Sequence, residues 1–302
     1  MATFIFMSTI EKTLKKGYQK LSRAKLPNVH LDAELLLEQV MKKSRAHILA
    51  HPEKKLTNKQ INKYQLLITK RERLMPIAYL TENKEFYGRN FFVDQRVLIP
   101  RPETEILVEK ALKILRATKN LTYTIDIGTG SGCIITTIAC ELSQKSNFNF
   151  LAVDISPTAL TLARRNAKKH QVNTKIKFIL GDLAKPLLDG IYLKKYQNFT
   201  QPIDVLITAN PPYLKTKEMC EPSIKYEPRL ALLGGSDGLR YYKKLAQQLQ
   251  LLQKKLPYLI IHLLLEIGEN QGQAIRQIFD WSKKIETKPD LSGHDRVMII
   301  TI

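Results

Sequence analysis

From about residue 122 onward, short apolar segments alternate with helical ones, and this alternation limits the fold more than any other feature. The apolar segments are TYTIDIG, FNFLAVD, KIKFILGD, IDVLITA, YLIIHLLLEIG and DRVMIITI. Strands that are apolar on both faces and alternate with helices are typical of a mostly parallel sheet covered by helices on both sides. We therefore expect an α/β fold in this half of the chain.

The residues before this region have a different character and divide the chain into three segments. Residues 1–82 carry apolar residues at helical spacing with no strand pattern, and Thr57 and Gln60 form a plausible capping box. In residues 83–121, aromatic residues around Gly88-Arg89-Asn90 predict a hairpin, and PRPETEILVE begins a helix. We expect a small helical domain, then a hairpin with a connecting helix, and then the α/β domain over residues 122–302.

The charge of the chain favours a polyanionic partner, or one that works among polyanions. With 48 basic and 28 acidic residues, the formal net charge is +20. Lysines are nevertheless spread evenly, with no dense basic run interleaved with aromatic residues, so direct nucleic-acid binding is possible but not required.

Cysteines, histidines and apolar runs indicate the compartment. Three cysteines are too few for a disulfide framework, and the six histidines show no metal-ligand spacing, so no metal is expected. The apolar stretch at the start is too short for a signal peptide, and the run from Leu256 to Ile267 is too short to span a bilayer. We expect a soluble protein of the reducing cytoplasm with no membrane partner.

A glycine loop follows the first strand of the α/β domain. The segment DIGTGSG, from Asp126 to Gly132, lacks both the dinucleotide spacing and the Gly-Lys-Ser/Thr end of a phosphate loop. Asp154 ends the next strand, where an acid can accept ribose hydroxyls, and Gly181-Asp182 ends the third, where an adenine edge could be met. An adenosine site with no feature for a pyrophosphate makes S-adenosylmethionine the economical cofactor.

The segment ITANPPYL interrupts the fourth strand abruptly, because two prolines cannot continue a central strand. At the carboxyl edge of the sheet, the Asn210 side-chain oxygen and the Pro211 carbonyl could accept both hydrogens of a planar NH₂ group. Pro211 and Pro212 make that backbone rigid, and Tyr213 offers a flat face for stacking. The motif alone does not choose between the exocyclic amine of adenine and the amide of glutamine.

Several motifs occur in one order along the chain: VLIPRPETEILVE, DIGTGSGCI, AVDIS, ANPPYL, EPRLALLGGSDGL, LLLEIGENQ and DLSGHDRVM. Together they resemble the HemK/PrmC family, the peptide chain release factor glutamine methyltransferases, over nearly the whole chain from Pro76. The Asn-Pro-Pro-Tyr motif is shared with adenine methyltransferases, but its pairing with Pro-Arg-Pro-Glu-Thr-Glu is specific. The helical N-terminus matches the family in type rather than in residues.

The resemblance implies a fold, a reaction and a set of site residues. The fold is a Rossmann-like S-adenosylmethionine-dependent methyltransferase domain with a mostly parallel seven-stranded sheet, preceded by a small helical domain that docks the substrate. The reaction methylates the side-chain amide nitrogen of the glutamine in the Gly-Gly-Gln motif of class I release factors. The catalytic residues are Asn210, Pro211 and Tyr213, and Asn210 to Tyr213 hold the substrate. The cofactor-binding residues are Gly128, Thr129, Gly130, Ser131, Gly132, Asp154, Asp182, Leu183 and Asn210.

Some features depart from the family pattern or leave alternatives open. Leu183 stands where some members carry an aromatic residue over the adenine, and the segment 185–201 is longer than expected. Methylation of a ribosomal protein glutamine, or of adenine in DNA or RNA, is the alternative activity. Glu266, at the end of the fifth strand, could be functional or structural, and Asp237 is interpreted as a helix N-cap. Arg101, Glu103 and Glu105 could either pair locally or lie beside the cofactor, and the sequence favours neither role.

Overall fold

The computed structural model describes residues 8–117, 121–142, 149–189, 202–218, 222 and 224–302. The chain forms two compact units. The smaller comprises residues 1–83 with 222–226, and the larger comprises residues 84–221 with 227–302. The hairpin and connecting helix of the predicted middle segment thus fall in the larger unit. None of the helices in the described ranges is long and apolar enough to cross a membrane.

The smaller unit is helical. Its helices are α1 (Ile10–Ser22), α2 (Val29–Met41), α3 (Arg45–Ala50), α4 (Asn58–Glu72) and α5 (Ile77–Thr81). They share a core of buried aliphatic residues with Tyr64. The predicted capping box at the start of α4 is confirmed, because Gln60 N donates to Thr57 Oγ1 at 3.2 Å and Thr57 N donates to Gln60 Oε1 at 2.9 Å.

The larger unit begins with the predicted hairpin. Strands β1 (Lys84–Phe86) and β2 (Arg89–Phe91) are joined by Tyr87 and Gly88, whose φ angles are 53° and 70°. Two positive φ angles are the requirement of the two-residue turn that matches strand twist, so the turn lies earlier than the predicted Gly88-Arg89-Asn90. Helix α6 (Thr104–Ala117) follows.

A seven-stranded sheet forms the centre of the larger unit. Its strands are β3 (Leu121–Ile127), β4 (Asn149–Asp154), β5 (Ile176–Leu180), β6 (Ile203–Ala209), β7 (Leu259–Glu266), β8 (Lys284–Pro289) and β9 (Asp295–Thr301). Their order is β5-β4-β3-β6-β7-β9-β8; β9 pairs antiparallel with both β7 and β8, and the other four strand pairs are parallel. The mostly parallel seven-stranded sheet is confirmed. Six strands were expected from their apolar runs, and the edge strand β8 was missed.

Helices cover both faces of this sheet. They are α6, α7 (Cys133–Glu141), α8 (Pro157–Lys169), α9 (Lys185–Leu188), α10 (Arg240–Lys255) and α11 (Gly272–Ile278). Strand side chains alternate between two cores, one shared with α10 and α11 and the other with α6 and α7. Such two-sided burial explains why the parallel strands are apolar throughout.

The start of α10 differs from expectation. The N-cap residue is Leu239, with no side-chain cap, so the assignment of Asp237 as N-cap was wrong. Asp237 instead accepts a hydrogen bond from Leu239 N at 2.9 Å and pairs with Lys243. Of the long segment 185–201, helix α9 and Asp189 are described. The rest of it lies outside the described residues, as do Cys220 and the first seven residues.

The strand order fixes where a ligand can bind. The chain runs from β3 outward through β4 to β5 and then returns to β6 on the other side of β3. Loops on the two sides of such a reversal diverge, so a crevice opens beyond the carboxyl ends of β3, β4 and β6.

Candidate active site

A cavity lies at this edge of the sheet. It is lined by the loops that follow β3, β4, β5 and β6, by the segment before α6, and by residues that precede α10. Of the predicted site residues, those that line it are Gly128, Thr129, Gly130, Ser131, Asp154, Asp182, Leu183, Asn210, Pro211 and Pro212. Gly132 and Tyr213, both described, are not among the lining residues.

Glycine serves two different purposes in the loop between β3 and α7. Gly128 and Gly132 have φ angles of 71° and 76°, which favour glycine. A methyl group added at Gly128 would meet no atom within 4 Å, so this position borders free space in the cavity. One added at Gly132 would lie 3.0 Å from the Ala163 Cβ. Gly132 therefore lets α7 approach α8, whereas Gly128 leaves room for a ligand.

Asp154 at the end of β4 is held by backbone amides. Its Oδ2 accepts from Gly130 N at 2.8 Å and its Oδ1 accepts from Ser156 N at 2.9 Å. Burial raises the pKa of this carboxyl, although the backbone hydrogen bonds act in the opposite direction. A carboxylate has about four acceptor positions and backbone amides take three of them here, so Asp154 can still accept a hydrogen bond from a hydroxyl group in the cavity.

The loop after β5 is supported by α10. Lys244 forms an ion pair with the Asp182 carboxylate. The Gln248 side chain accepts from Ala184 N at 2.7 Å and donates to the Asp182 carbonyl at 3.3 Å. These contacts hold Leu183, whose φ of 54° is unusual for a residue with a side chain, in its place on the cavity wall.

The Asn-Pro-Pro-Tyr loop after β6 is clamped to a segment some twenty residues later in the chain. Leu214 N donates to Leu232 O at 2.9 Å, and Gly234 N donates to Leu214 O at 2.8 Å. A methyl group at Gly234 would lie 2.7 Å from the Pro212 carbonyl oxygen and 2.9 Å from the Tyr213 Cα. Only glycine fits at this contact without moving the loop.

Gln271 also supports this loop and was missed in the sequence. Its Nε2 donates to Tyr213 O at 3.1 Å and to Gly238 O at 3.3 Å, while its Oε1 accepts from Gly268 N at 2.9 Å. The side chain thus joins three segments that are far apart in the chain. Lone glutamines carry no local pattern, and only its place in the LEIGENQ motif marked this one.

A buried carboxyl lies directly behind Asn210. Glu266 is 1% exposed, and its Oε2 accepts a hydrogen bond from Thr104 Oγ1 at 2.6 Å. Thr104 Oγ1 in turn accepts from Asn210 Nδ2 at 3.4 Å. Burial raises the pKa of Glu266 to about 7, and hydrogen bonds from Thr104 and Asn210 together with the charge of Arg296 limit the rise.

Arg101, before α6, and Glu105, in the first turn of α6, make different kinds of contact. Arg101 lines the cavity and pairs with the buried Glu227 at 2.5 Å, and Glu227 also accepts from Ile99 N at 3.1 Å. Glu105 accepts from Tyr87 N at 2.9 Å, which is a local structural contact. The sequence had left both possibilities open for Arg101 and Glu105.

The chemistry of this cavity fits an adenosyl sulfonium. Three features suit a nucleoside. There is free space beside Gly128, the Asp154 carboxylate is anchored, and Leu183 lines the cavity further. The glycine loop contains no lysine, and the backbone amides of Gly128, Thr129, Gly130 and Gly132 all donate within the protein, so neither feature of a pyrophosphate site is found there. Within the described ranges, no group of three or more His, Cys, Asp or Glu residues could hold a metal ion.

Two family models match the chain. The PrmC N-terminal domain matches residues 12–81, and a methyltransferase domain matches residues 118–280. A release factor glutamine methyltransferase of Coxiella burnetii is 37% identical over 97% of this chain and 99% of its own length. The chain belongs to the release factor glutamine methyltransferase family. Membership confirms the predicted Rossmann-like methyltransferase fold and the predicted cofactor, S-adenosylmethionine.

Other members of the family are similar over most of the chain. The release factor glutamine methyltransferase of Staphylococcus aureus is 35% identical over 88% of this chain and 90% of its own length. A bifunctional methyltransferase of Rickettsia bellii is 32% identical over 97% of this chain but only 55% of its own length. The chain therefore spans about half the length of that relative.

The catalytic domain of hMettl16, solved in complex with the MAT2A 3'UTR hairpin 6, has a similar fold. The TM-score is 0.52 at 16% identity, over 78% of this chain and 81% of that one. At this identity the likeness shows the fold alone.

Proposed function

We propose that this protein transfers a methyl group from S-adenosylmethionine to the side-chain amide nitrogen of the glutamine in the Gly-Gly-Gln motif of class I peptide chain release factors. The observation that carries the proposal is the place of Asn210, Pro211 and Pro212 on the wall of the cavity that also contains Gly128 and Asp154. Family membership over nearly the whole chain supports the choice of glutamine over adenine.

The cofactor residues of the proposal lie on the loops after β3, β4 and β5. Gly128 to Ser131 form the backbone wall beside the cofactor, and Gly132 supports that wall from behind. Asp154 accepts the ribose hydroxyls, and Asp182 with Leu183 meets the adenine. When bound there, S-adenosylmethionine supplies an electrophilic methyl group on a positively charged sulfur.

The substrate residues of the proposal act by holding the glutamine amide. The Asn210 side-chain oxygen accepts one amide hydrogen, and the Pro211 carbonyl accepts the other. The two prolines hold these acceptors rigidly, so little freedom is lost when the amide binds. In the proposal Tyr213 offers a flat face next to them, although in the structure its ring lies against Gly268 and not on the cavity wall.

Proton transfer needs no strong base in this scheme. A glutamine amide is a weak acid, but its nitrogen develops positive charge as the methyl group is transferred, and its proton is then readily lost. Two acceptors aimed at that nitrogen stabilise the developing charge, and this stabilisation is stronger in the transition state than in the bound substrate.

In the proposal the smaller unit, predicted as residues 1–82, docks the release factor. The match of the PrmC N-terminal domain to residues 12–81 supports this role. Leu49 and Leu66 are 47% and 56% exposed. We expect Leu66→Glu to raise KM for an intact release factor while KM for a short Gly-Gly-Gln peptide stays unchanged. Equal KM changes for both substrates would contradict a docking role for that surface.

One experiment tests the function. Labelled S-adenosylmethionine is offered with a purified class I release factor, the same factor with its Gly-Gly-Gln glutamine replaced by alanine, ribosomal protein, and duplex DNA. We expect label only in the unaltered release factor. Label in DNA or ribosomal protein but not in the release factor would overturn the proposal. A cytoplasmic location belongs to the same proposal, because translation termination takes place there.

A further inference from the structure

The orientation of the Asn210 side-chain amide decides whether this residue can hold a substrate amide. An asparagine side chain is planar, with an acceptor oxygen on one branch and a donor NH₂ on the other. A substrate NH₂ needs an acceptor, so the Asn210 oxygen must face the cavity and its NH₂ must face the protein. Rotating the amide by half a turn would present a donor to a donor.

Thr104 and Glu266 together determine this orientation, because the Asn210 NH₂ donates to Thr104 Oγ1 at 3.4 Å and also to the Glu266 carboxyl. Thr104 is 2% exposed, and its hydroxyl has a single proton, which it donates to Glu266 Oε2 at 2.6 Å. The hydroxyl oxygen can then only accept, and the atom 3.4 Å away on Asn210 is Nδ2. An oxygen in that position would face the lone pairs of Thr104 Oγ1 with no proton between them.

Glu266 itself has a reason to remain the acceptor. Its backbone carbonyl receives the Tyr242 hydroxyl at 2.9 Å, which fixes the residue at the end of β7. Arg296 donates to the carbonyl of the next residue, Ile267, at 3.3 Å, so a positive charge lies near the Glu266 carboxyl. These contacts hold the carboxyl facing Thr104, and the charge of Arg296 favours its ionised form, which is the form that accepts from Thr104.

We propose that Thr104 and Glu266 are positioning residues that act through Asn210, by fixing the amide orientation that presents its oxygen to the substrate. The inference rests on the proposed function for its kinetic consequence but not for the orientation itself. Neither residue touches the reacting atoms in this scheme. The threonine of the Pro-Arg-Pro-Glu-Thr-Glu motif thus connects that motif to the Asn-Pro-Pro-Tyr motif.

The kinetic test compares three variants. Thr104→Val keeps the shape and removes the hydroxyl, and we expect kcat to fall about 10²-fold, as for a misplaced catalytic group, with little change in the Kd for S-adenosylmethionine. Thr104→Ser returns the hydroxyl and should restore most of that loss. Thr124→Val is the matched control, because Thr124 is fully buried in β3 and its hydroxyl has no hydrogen-bond partner among the residues that the structure describes. We expect it to keep wild-type kcat.

A double-variant cycle separates positioning from general damage. If Thr104 acts through Asn210, then Thr104→Val added to Asn210→Ala changes kcat by less than about twofold. A second loss as large as the first would overturn the inference. Glu266→Gln gives an independent check if Thr104→Val folds poorly, because the glutamine can donate to Thr104 and turn the Thr104 proton toward Asn210. We expect it to lower kcat and leave cofactor affinity unchanged.

An NMR measurement tests the orientation without any reaction. The side-chain NH₂ signals of Asn210 are assigned by their loss in Asn210→Ala, and their hydrogen exchange is measured in the full-length protein. We expect slow exchange in the wild type and in Thr104→Ser, and faster exchange in Thr104→Val. Unchanged exchange in Thr104→Val would overturn the inference. If the wild type methylates no release factor, the proposed function fails while this result still decides the orientation.

Discussion

The glycine loop after β3 and the Asn-Pro-Pro-Tyr loop after β6 follow neighbouring parallel strands, but different interactions hold them in place. The glycine loop is shaped by its own positive φ angles and by Asp154, from the adjacent strand β4. The other loop is held by side chains and backbone from distant segments, including Thr104, Gly234 and Gln271.

This difference indicates which measurable property a substitution in each loop should affect. In the proposed function the cofactor is met mostly by backbone and one carboxylate, so the first loop needs free space and a turn. The substrate amide is met by two oriented acceptors, the Asn210 side-chain oxygen and the Pro211 carbonyl, so the second loop needs several independent supports. Changes to the first loop should therefore appear in cofactor affinity, and changes to the supports of the second should appear in kcat.

The largest effect is expected from Asn210→Ala. Removal of one of the two acceptors should lower kcat for release factor methylation about 10²–10³-fold, as loss of a single transition-state contact does elsewhere. The Kd for S-adenosylmethionine, measured by calorimetry, should change little. Wild-type turnover in this variant would refute the role given to Asn210.

Two glycine substitutions should separate the loops most clearly. Gly128→Ala places a methyl group in the free space of the cavity, and should weaken cofactor binding about tenfold or more because that methyl group takes up space that the cofactor needs. Gly234→Ala pushes on the Pro212 carbonyl and should lower kcat instead. Calorimetry and steady-state rates on both variants give the comparison, with Gly88→Ala, at a positive φ in the hairpin turn with no neighbour within 4 Å, as control. Equal effects of Gly128→Ala and Gly234→Ala on cofactor affinity would contradict the division.

The two buried glutamines allow a finer test. Gln248→Glu removes the donor to the Asp182 carbonyl, and Gln271→Glu removes the donor to the Tyr213 carbonyl. Each loss leaves a carboxylate oxygen against a carbonyl and should cost about 1–3 kcal/mol of local stability. We expect the first variant to raise the Kd for S-adenosylmethionine, and the second to lower kcat. A result with these effects exchanged would contradict the roles given to the two loops.

The smallest effect concerns the link between the two loops. Asp126 is fully buried and accepts from Thr129 of the glycine loop at 2.7 Å and from Thr208, near the end of β6, at 2.8 Å. Burial raises the pKa of Asp126 to about 7 from its usual 3.8, so the folded state holds a proton that the unfolded state releases between these values. The free energy of unfolding should therefore fall as pH rises from about 4 to about 7.

Asp126→Asn should flatten this decline by on the order of 3 kcal/mol across that pH range. Urea unfolding at four pH values between 4 and 7.5 measures it, with Asp280→Asn as the control because Asp280 is exposed. The same slope in the wild type and in Asp126→Asn would show that this carboxyl does not titrate with a raised pKa.

The parts of the molecule that sequence could predict are those with a local or periodic signal. Two-sided burial makes strands such as β6 and β7 apolar throughout, and turns such as Gly128 to Gly132 need glycine. Strand β8, KIETKP, was missed because it lies at the sheet edge with partly exposed residues, so its lysines and proline read as a loop. The predicted position of the hairpin turn was wrong because Tyr87 has a positive φ, and a tyrosine in the sequence gives no indication of that conformation.

The contacts that support the Asn-Pro-Pro-Tyr loop could not be predicted from the sequence, for another reason. Thr104 and Glu266 are separated by 162 positions, and their contact depends on the sheet order and on the place of α6. No periodicity carries such a relation, so the sequence could only leave Glu266 open between a functional and a structural role. The glycine loop and Asp154 were easier, because their contact needs only two adjacent strands.

The antiparallel strand β9 lies between β7 and β8. This position affects the order in which the strands around the site open. Strand β8 has no other neighbour in the sheet, and β7 has β9 along one edge from His262 to Glu266. Local opening of β9 would free β8, uncover the β7 edge and admit water to the Glu266 carboxyl. Amide exchange in β8, β9 and the end of β7 should then proceed as one cooperative unit, and the methyl acceptor site would be dismantled before β3 and β4 open.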